Sequence, residues 1–406
     1  MTRARFGLHP TVLVLAATHF ILDGYGNIFA PLLPMLIANQ HLSLAAVGTL
    51  QMCFQLANSV AQLGFGPLAD RWRPRVLLLA GPLVGVVLLP FIGLADNVWT
   101  LGLVLVLGGL GIAAFHPPAA ALVHQSAGET KGLAMSFHIT SGTLGQALAP
   151  VAFAPFVERF GLRATPVLMV PALVVLLGGL LRRLPPMGAL HAAGDVRGVR
   201  ALRPYARPLG LLYTIVVLRT LTASSFGLYV PVLLTRRGHS LAEAGAAVSI
   251  YMFAVGCGGF LGGPGADRFG ARRVIVLSLV GAVPLLAVAP LLSGWEFVAV
   301  LAAGGFLLQS TLPVNVTFAQ MIAPVSAATV SSLMMGFAWG TGGLLAPFVG
   351  MLADRIGIEQ MLTLMAMLPL AGAALAMALP SRVDGAPGAS VPQYGVPSTS
   401  GTDVAE

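Results

Sequence analysis

The chain has 406 residues, of which 57% are hydrophobic and only 9% are charged, and its formal net charge is +8. A soluble domain carries about 25% charged residues, so this composition excludes an ordinary soluble enzyme, a disordered chain and a disulfide scaffold. The basic residues stand in short clusters between long apolar runs. That pattern is typical of the cytoplasmic loops of a membrane protein and argues against a nucleic-acid partner.

Twelve apolar stretches are long enough to cross a bilayer, because a helix needs about 20 residues to span the hydrocarbon core. In chain order we predict membrane spans at 11–38, 43–66, 75–94, 98–123, 132–156, 164–184, 208–235, 241–263, 273–292, 296–322, 326–350 and 358–380. With this count, most of the 22 Lys and Arg residues fall on the same side as the two termini. The positive-inside rule therefore predicts a multi-pass protein of the cell (inner) membrane with both termini in the cytoplasm.

The chain divides into four predicted parts. Residues 1–184 form an N-terminal bundle of six helices, and 208–380 form a C-terminal bundle of six. The segment 185–207 is rich in arginine and is predicted to be a cytoplasmic linker near anionic lipid headgroups. The tail 381–406 is rich in Gly, Pro and Ser, which predicts disorder.

An internal repeat relates the two bundles. Residues 43–48 (SLAAVG) return as 240–245 (SLAEAG), and 66–71 (GPLADR) return as 263–268 (GPGADR), in both cases without a gap in the offset. A shorter repeat, an acidic residue followed by arginine, occurs at Asp70–Arg71, Glu158–Arg159, Asp267–Arg268 and Asp354–Arg355. We therefore predict an all-α polytopic fold of twelve transmembrane helices in two pseudo-symmetric bundles, each built from inverted three-plus-three repeats. Transporters with this plan bind their substrate near the bilayer midplane.

Several motifs resemble a known family. Residues 66–75 and 263–273 resemble two equivalent loops of the major facilitator superfamily. His19 with Asp23, Phe115–His116–Pro117, and the segment 131–136 resemble the fosmidomycin-resistance family of that superfamily. The type member of this family is a proton-coupled exporter of an antibiotic.

The resemblance also implies roles for individual residues. It implies gating loops at the cytoplasmic helix ends, formed by Gly66, Asp70, Arg71, Arg75, Gly263, Asp267, Arg268 and Arg272. It implies helix bending or close packing in the fifth span at Gly142, Gly145 and Pro150. Ordinary tight packing of small residues is the alternative for the three fifth-span positions.

Two charged residues lie deep in predicted spans. Asp23 stands near the middle of the first span, and Arg219 is the only basic residue deep in a span. An ionisable side chain inside a membrane is costly and usually faces a cavity or a partner. We expect Asp23 to carry protons and to approach Arg219 across the interface between the bundles. A permanent structural ion pair is the alternative.

Other polar residues are candidates for proton coupling or substrate binding. His116 and His138 titrate near neutral pH and are candidates for a proton relay, although hydrogen bonding between helices is an equal alternative. For His19 the structural role is favoured. Gln51 and Gln55 begin a polar stripe along the second span, which either lines a wet path or joins helices.

The motifs that the sequence lacks exclude several classes of function. It contains no phosphate-binding loop, no His-Glu-x-x-His motif and no clustered Cys and His spacing, so we expect no cofactor, no metal and no enzyme activity. The favoured function is a secondary transporter that exports a small organic compound or drug in exchange for protons. Its partners are then the small molecule, protons and the lipid bilayer, and the fold needs no partner chain, which favours a monomer.

Three alternatives stay open. A proton-coupled importer would use Arg219 to bind a small anionic metabolite. A membrane sensor would bind a ligand without moving it. A polytopic membrane enzyme is disfavoured by the missing catalytic motifs.

Overall fold

The computed structural model describes residues 8–71, 74–128, 131–184, 199–323, 330 and 333–380, and in these ranges the chain is helical and contains no strand. The α-helices are α1 Pro10–Gly26, α2 Phe29–Gln40, α3 Leu44–Gln55, α4 Gln62–Arg71, α5 Pro74–Leu88, α6 Val98–Ser126, α7 Lys131–Phe160, α8 Met169–Val175, α9 Leu181–Arg183, α10 Ala206–Arg236, α11 Leu241–Phe269, α12 Ala271–Val288, α13 Gly294–Gln309, α14 Thr311–Ile322, α15 Ala338–Leu344, α16 Ala346–Ile356, α17 Ile358–Met365 and α18 Leu368–Met377.

Polar side chains begin three of the long helices. Oγ of Ser43 accepts the N–H of Ala46 at the start of α3, and Ser240 forms a reciprocal capping box with Glu243 at the start of α11. Asn97 caps α6 in the same way. These bonds satisfy N–H groups that have no partner within their own helix. The two serines are equivalent in the sequence repeat, so the repeat specifies where the second helix of each bundle begins.

Ten of the twelve predicted spans are helical segments long and apolar enough to cross a membrane. The predicted fifth span is α7, which has 30 residues and is therefore long enough, but polar residues and glycines interrupt its apolar character. The predicted eleventh span lies partly outside the described residues. The all-helical, polytopic membrane fold is confirmed.

Some predicted boundaries differ from the described helices or lie outside them. The residues 1–7, most of the predicted linker at 185–198, and the predicted tail at 381–406 are outside the described ranges. The last part of the predicted linker is helical, because a 3₁₀ turn at Val199–Tyr205 leads directly into α10. Tyr205 and Leu202 lie in or against the hydrophobic core, which explains why this stretch is ordered rather than an open loop.

The first span is broken near its middle. α1 ends at Gly26 and α2 begins at Phe29, so the backbone of Asn27 and Ile28 lies outside both helices. Asp23 stands in the last turn of α1, next to this break. Irregular backbone at such a depth is tolerated where protein or a wet cavity satisfies its polar groups. The break therefore marks the place where a functional site is expected.

The two bundles meet through pairs of helices. α3 packs along α16, α7 packs along α11, and α2 contacts α10. α1 lies along α7 within the N-terminal bundle. The polar residues of α1, α3 and α7 are thus brought to the interface between the bundles.

Candidate functional site

Asp23 lies between two histidines. Its Oδ2 is 3.3 Å from Nε2 of His19, one helical turn earlier in α1, and its Oδ1 is 3.4 Å from Nε2 of His116 in α6. The Asp23 and His116 side chains are only 11% and 21% exposed. A carboxylate held by two imidazoles in a largely desolvated place is strongly coupled to them, because screening by water is weak there. The structure therefore joins His19 to the predicted candidates Asp23 and His116.

A second group of hydrogen bonds orients this cluster. Nε2 of Gln146 donates to Oδ2 of Asp23 at 2.8 Å. The backbone carbonyl of His138 lies 2.8 Å from Nδ1 of His19, and the His138 ring stacks beside the His19 ring with centroids 4.4 Å apart. The predicted candidate His138 thus contacts the cluster through its carbonyl and the face of its ring. Its own Nδ1 is buried and has no hydrogen-bond partner among the described residues.

Pro150 explains a further bond beside Asp23. A proline has no N–H, so the carbonyl four residues earlier in a helix loses its usual partner. Here that carbonyl belongs to Gln146, and Nδ2 of Asn27 donates to it at 2.9 Å. The N–H of Val151 donates to Oγ of Ser249 in α11 at 3.0 Å. The Pro150 position therefore links α7 to the broken first span and to the opposite bundle.

The two predicted glycines of α7 are close-packing positions. A Cβ on Gly145 would stand 1.9 Å from the carbonyl oxygen of Phe20, which is backbone and cannot move aside. A Cβ on Gly142 would stand 2.5 Å from Nε2 of His19. Gly145 lets α7 approach α1, and Gly142 leaves room for the His19 ring beside Asp23.

A cavity of about 180 Å³ lies between the bundles. Asp23 is in its wall, together with residues of the opposite bundle such as Ser224 and Met252. Most of its polar wall is amide, from Asn27, Gln51, Gln55, Asn58 and Gln146. None of its lining residues is Lys or Arg. The predicted candidates Gln51 and Gln55 therefore share one cavity with Asp23.

The structure does not show the predicted approach of Asp23 to Arg219. Arg219 is only 1% exposed, and its guanidinium donates to the side chains of Gln309 and Thr220 in its own bundle. Asp23 finds its histidine and amide partners in the N-terminal bundle, so its charge needs no partner across the interface. Nε of Arg219 has no hydrogen-bond partner and no carboxylate beside it among the described residues.

The sequence of the whole chain matches one family model, described as Major Facilitator Superfamily, at residues 15–324 and 212–393. The chain belongs to this superfamily. It is 28% identical over 382 residues to the fosmidomycin resistance protein of Escherichia coli (strain K12), and the aligned region covers 91% of this chain and 92% of that protein. The predicted resemblance to the fosmidomycin-resistance family is confirmed.

Two further similarities cover nearly the whole chain. It is 28% identical over 403 residues to the protein named uncharacterized MFS-type transporter YfnC of Bacillus subtilis (strain 168), over 92% of this chain and 93% of that one. The crystal structure of the nucleoside transporter NupG superposes with a TM-score of 0.76 at 13% identity, over 91% of this chain and 98% of NupG. The second similarity shows the fold.

The structure describes only part of the superfamily loops that are predicted to gate the cytoplasmic side. Asp267 and Arg268 are exposed at the end of α11, and the Arg268 guanidinium lies over the Phe269 ring. Arg75 is exposed, whereas Arg272, Gly66 and Gly263 are half-buried. The side chains of Asp70 and Arg71 lie outside the described part of the structure. Asp267 forms no hydrogen bond or ion pair with another described residue, and the latch at this position stays a prediction.

At the opposite end of the molecule, two carboxylates accept three hydrogen bonds between the bundles, and none of these bonds was predicted from the sequence. Oδ1 and Oδ2 of Asp354 accept the N–H groups of Leu44 and Ala45, both at 2.9 Å, at the start of α3. Oε2 of Glu158 accepts the N–H of Ala242 at 2.7 Å, at the start of α11. Each carboxylate thus caps a helix of the other bundle, where the helix dipole favours negative charge.

A sequence signal for these two caps existed. Ala45 and Ala242 are equivalent positions of the repeat, and Glu158 and Asp354 are two of the four acid–Arg pairs. The superfamily resemblance directed attention to the other two pairs, at Asp70 and Asp267. Because each bundle is itself an inverted repeat, the same capping role is available at both ends of the molecule.

Proposed function

We propose that this chain exports a small organic compound in exchange for protons by alternating access. The observation that carries the proposal is the position of Asp23, which stands at the wall of a cavity between the bundles and contacts two imidazoles. A group that must alternately hold a proton and yield to a substrate needs this combination of partial burial and access. The family membership supports transport as the activity.

The chemistry of the cluster supports a proton as the coupling ion. A carboxylate accepts a proton without any change of shape, and each imidazole can be a donor, an acceptor or both. A proton that enters from the cavity can therefore be shared between Asp23, His19 and His116. The Gln146 amide holds the carboxylate in place while its charge changes.

The wall of the cavity supports a substrate that is polar and neutral or cationic. Its amide groups both donate and accept hydrogen bonds, and Asp23 supplies negative charge. The importer of an anionic metabolite is disfavoured, because Arg219, which would bind the anion, is buried outside this wall. The name of the relative from Escherichia coli, a resistance protein, supports outward movement of a toxic compound.

The two carboxylate caps support one step of the cycle. Asp354 and Glu158 hold the bundles together at the end that the charge distribution predicts to face outside, and Asp267 at the cytoplasmic end pairs with no other described residue. We infer that this arrangement is the state closed to the outside. We further infer that the chain acts as a monomer in the inner membrane, with both termini and the linker 185–207 in the cytoplasm.

Transport assays can separate the proposal from its alternatives. A deletion strain and an overexpressing strain are first screened for altered sensitivity to a compound set that includes fosmidomycin. A compound that the screen identifies is then followed in proteoliposomes with an imposed pH gradient. Movement against the direction of proton flow supports the exporter, movement with protons supports an importer, and binding without counterflow supports a sensor.

A further inference from the structure

We propose that His19, Asp23 and His116 form a binding site for a divalent transition-metal ion such as Zn²⁺. One ligand atom from each of these three residues, a ring nitrogen or a carboxylate oxygen, lies within 4.8 Å of the other two. The sequence predicts no metal site, because these three residues do not have the spacing of a metal-binding motif along the chain. These ligands come from two helices, α1 and α6. The proposal goes beyond proton coupling and does not require it.

Hydrogen bonding fixes the chemical state of His19. A backbone carbonyl only accepts, so Nδ1 of His19 must carry the hydrogen in its 2.8 Å contact with the carbonyl of His138. In the neutral imidazole Nε2 is then a bare acceptor. That acceptor faces Oδ2 of Asp23 at 3.3 Å, so two lone pairs oppose each other. A cation between the two atoms removes the repulsion, and it is either a second proton on the ring or a metal ion.

The spacing of the atoms fits a metal ion. Zn–N and Zn–O bonds are about 2.0–2.2 Å long, so neighbouring ligand atoms of a tetrahedral Zn²⁺ lie about 3.3–3.6 Å apart. Nε2 of His19 is 3.3 Å from one oxygen of Asp23, Oδ2, and Nε2 of His116 is 3.4 Å from the other, Oδ1. Two histidines and one carboxylate also form the ligand set that borderline ions such as Zn²⁺ and Co²⁺ accept, whereas Mg²⁺ and Ca²⁺ prefer oxygen ligands alone.

The surroundings orient two of the three ligands. Metal-binding histidines usually donate their other ring N–H to a carbonyl or carboxylate, and ligating carboxylates are themselves hydrogen-bonded. His19 has the carbonyl of His138, and Asp23 has the amide of Gln146. Gly142 keeps the His19 ring in this place, because any Cβ there would collide with it. These bonds already set the tautomer of His19 and the direction of its free nitrogen.

The site is reachable and has room for a further ligand. Asp23 is in the wall of the cavity between the bundles, so an ion can arrive through water. Three protein ligands leave one position of a tetrahedral ion open, and a water molecule from the cavity completes it. A bound metal occupies the atoms that would otherwise share the proton. We therefore expect Zn²⁺ to block any transport that depends on protonation of Asp23.

Cobalt(II) spectroscopy tests the site directly. The full-length protein, purified in detergent without a histidine tag, is titrated with Co²⁺ and then with competing Zn²⁺. We expect one equivalent of Co²⁺ with the intense visible bands of four- or five-coordinate cobalt, displaced by one equivalent of Zn²⁺. His116→Ala and Asp23→Asn should each weaken binding by at least about tenfold. The matched control is His124→Ala, because His124 lies exposed near the end of the same helix α6.

A variant that gains a spectroscopic signal distinguishes loss of a metal ligand from loss of folding. His116→Cys replaces one ligand by another that Zn²⁺ and Co²⁺ also accept. This variant should keep the binding and add a sulfur-to-cobalt charge-transfer band. Equal Co²⁺ affinity in wild type, His116→Ala and Asp23→Asn, or a charge-transfer band missing from a folded His116→Cys, would overturn the proposal.

These assays distinguish a failure of the proposed metal site from a failure of the proposed transport function. Proton-driven flux without specific Co²⁺ binding overturns the metal site and leaves the proposed function intact. Specific Co²⁺ binding without any flux overturns the proposed function and supports the site alone. If both hold, micromolar Zn²⁺ should inhibit flux in wild type and in the control His124→Ala to the same extent.

Discussion

The substitution Asp354→Asn tests whether the caps between the bundles hold the outside closed. Asp354 accepts two N–H groups of α3, and an asparagine of the same shape offers only one oxygen and no charge. A hydrogen bond to a charged group contributes about 1.5–3 kcal/mol, and a neutral one about 0.5–1.5 kcal/mol. Favourable charge at a helix N-terminus adds about 0.3–1 kcal/mol. Because Asp354 is exposed and water screens its charge, we expect a net loss of about 1–2 kcal/mol.

This loss changes how often the cavity opens to the outside. A difference of 1–2 kcal/mol alters the ratio of two states by a factor of about 5–30. The assay uses a protein in which Cys53 and Cys257 are replaced and a single cysteine stands at Gln51, in the cavity wall. A membrane-impermeant thiol reagent is added to right-side-out vesicles. Its labelling rate should rise by that factor in Asp354→Asn.

The matched control is Asp96→Asn, which makes the same chemical change at an exposed residue on the same predicted face. It should leave the labelling rate unchanged. Glu158→Gln should act in the same direction as Asp354→Asn, because it removes the charge of the symmetry-related cap. An unchanged rate in both cap variants would refute the assignment of this state as outside-closed.

Four further substitutions test the packing and charge of the site. Gly142→Ala should displace the His19 ring and weaken proton coupling, with little change in the melting temperature. Gly145→Ala should lower the melting temperature, because its Cβ meets the backbone of Phe20. A larger drop in melting temperature for Gly142→Ala than for Gly145→Ala would contradict the close-packing argument. Asn27→Ala leaves the carbonyl of Gln146, four residues before Pro150, without a donor. It should lower the free energy of unfolding by about 1–3 kcal/mol, so an unchanged melting temperature would refute that bond. Arg219→Met should retain flux that depends on the pH gradient, since Arg219 contacts the neutral side chains of Gln309 and Thr220 and lies outside the cavity wall; loss of flux in a folded variant would favour the importer.

Much of the fold was predictable because the bilayer makes length and apolarity decisive. Ten of the predicted spans were found as helices that can cross a membrane, and the offset repeat placed equivalent helix starts at Ser43 and Ser240. The fifth span was also predicted, although α7 is only moderately apolar. The break at Asn27 was not predicted, although a local signal exists, because Pro31 cannot donate a hydrogen bond to the carbonyl of Asn27 and disfavours a continuous helix.

The sequence predicted most of the residues of the candidate site, but not which of them contact each other. A charged residue within a span indicates function, so Asp23 and Arg219 were singled out, but sequence alone cannot tell which neutral or basic groups surround a charge. The structure joins Asp23 to His19 and His116 and places Arg219 beside Gln309. The role of Asn27 follows from Pro150 only after the two helices are seen side by side.

The most direct test of the central claim is the pH-gradient dependence of uphill transport by Asp23→Asn in proteoliposomes. Asparagine keeps the shape of the side chain and an acceptor oxygen but carries no exchangeable acid proton. If Asp23 is the proton carrier at the wall of the cavity, the folded variant should accumulate no compound against its gradient at any imposed pH difference, while Asp96→Asn behaves as wild type. Uphill accumulation by Asp23→Asn with the pH-gradient dependence of the wild type would contradict the account.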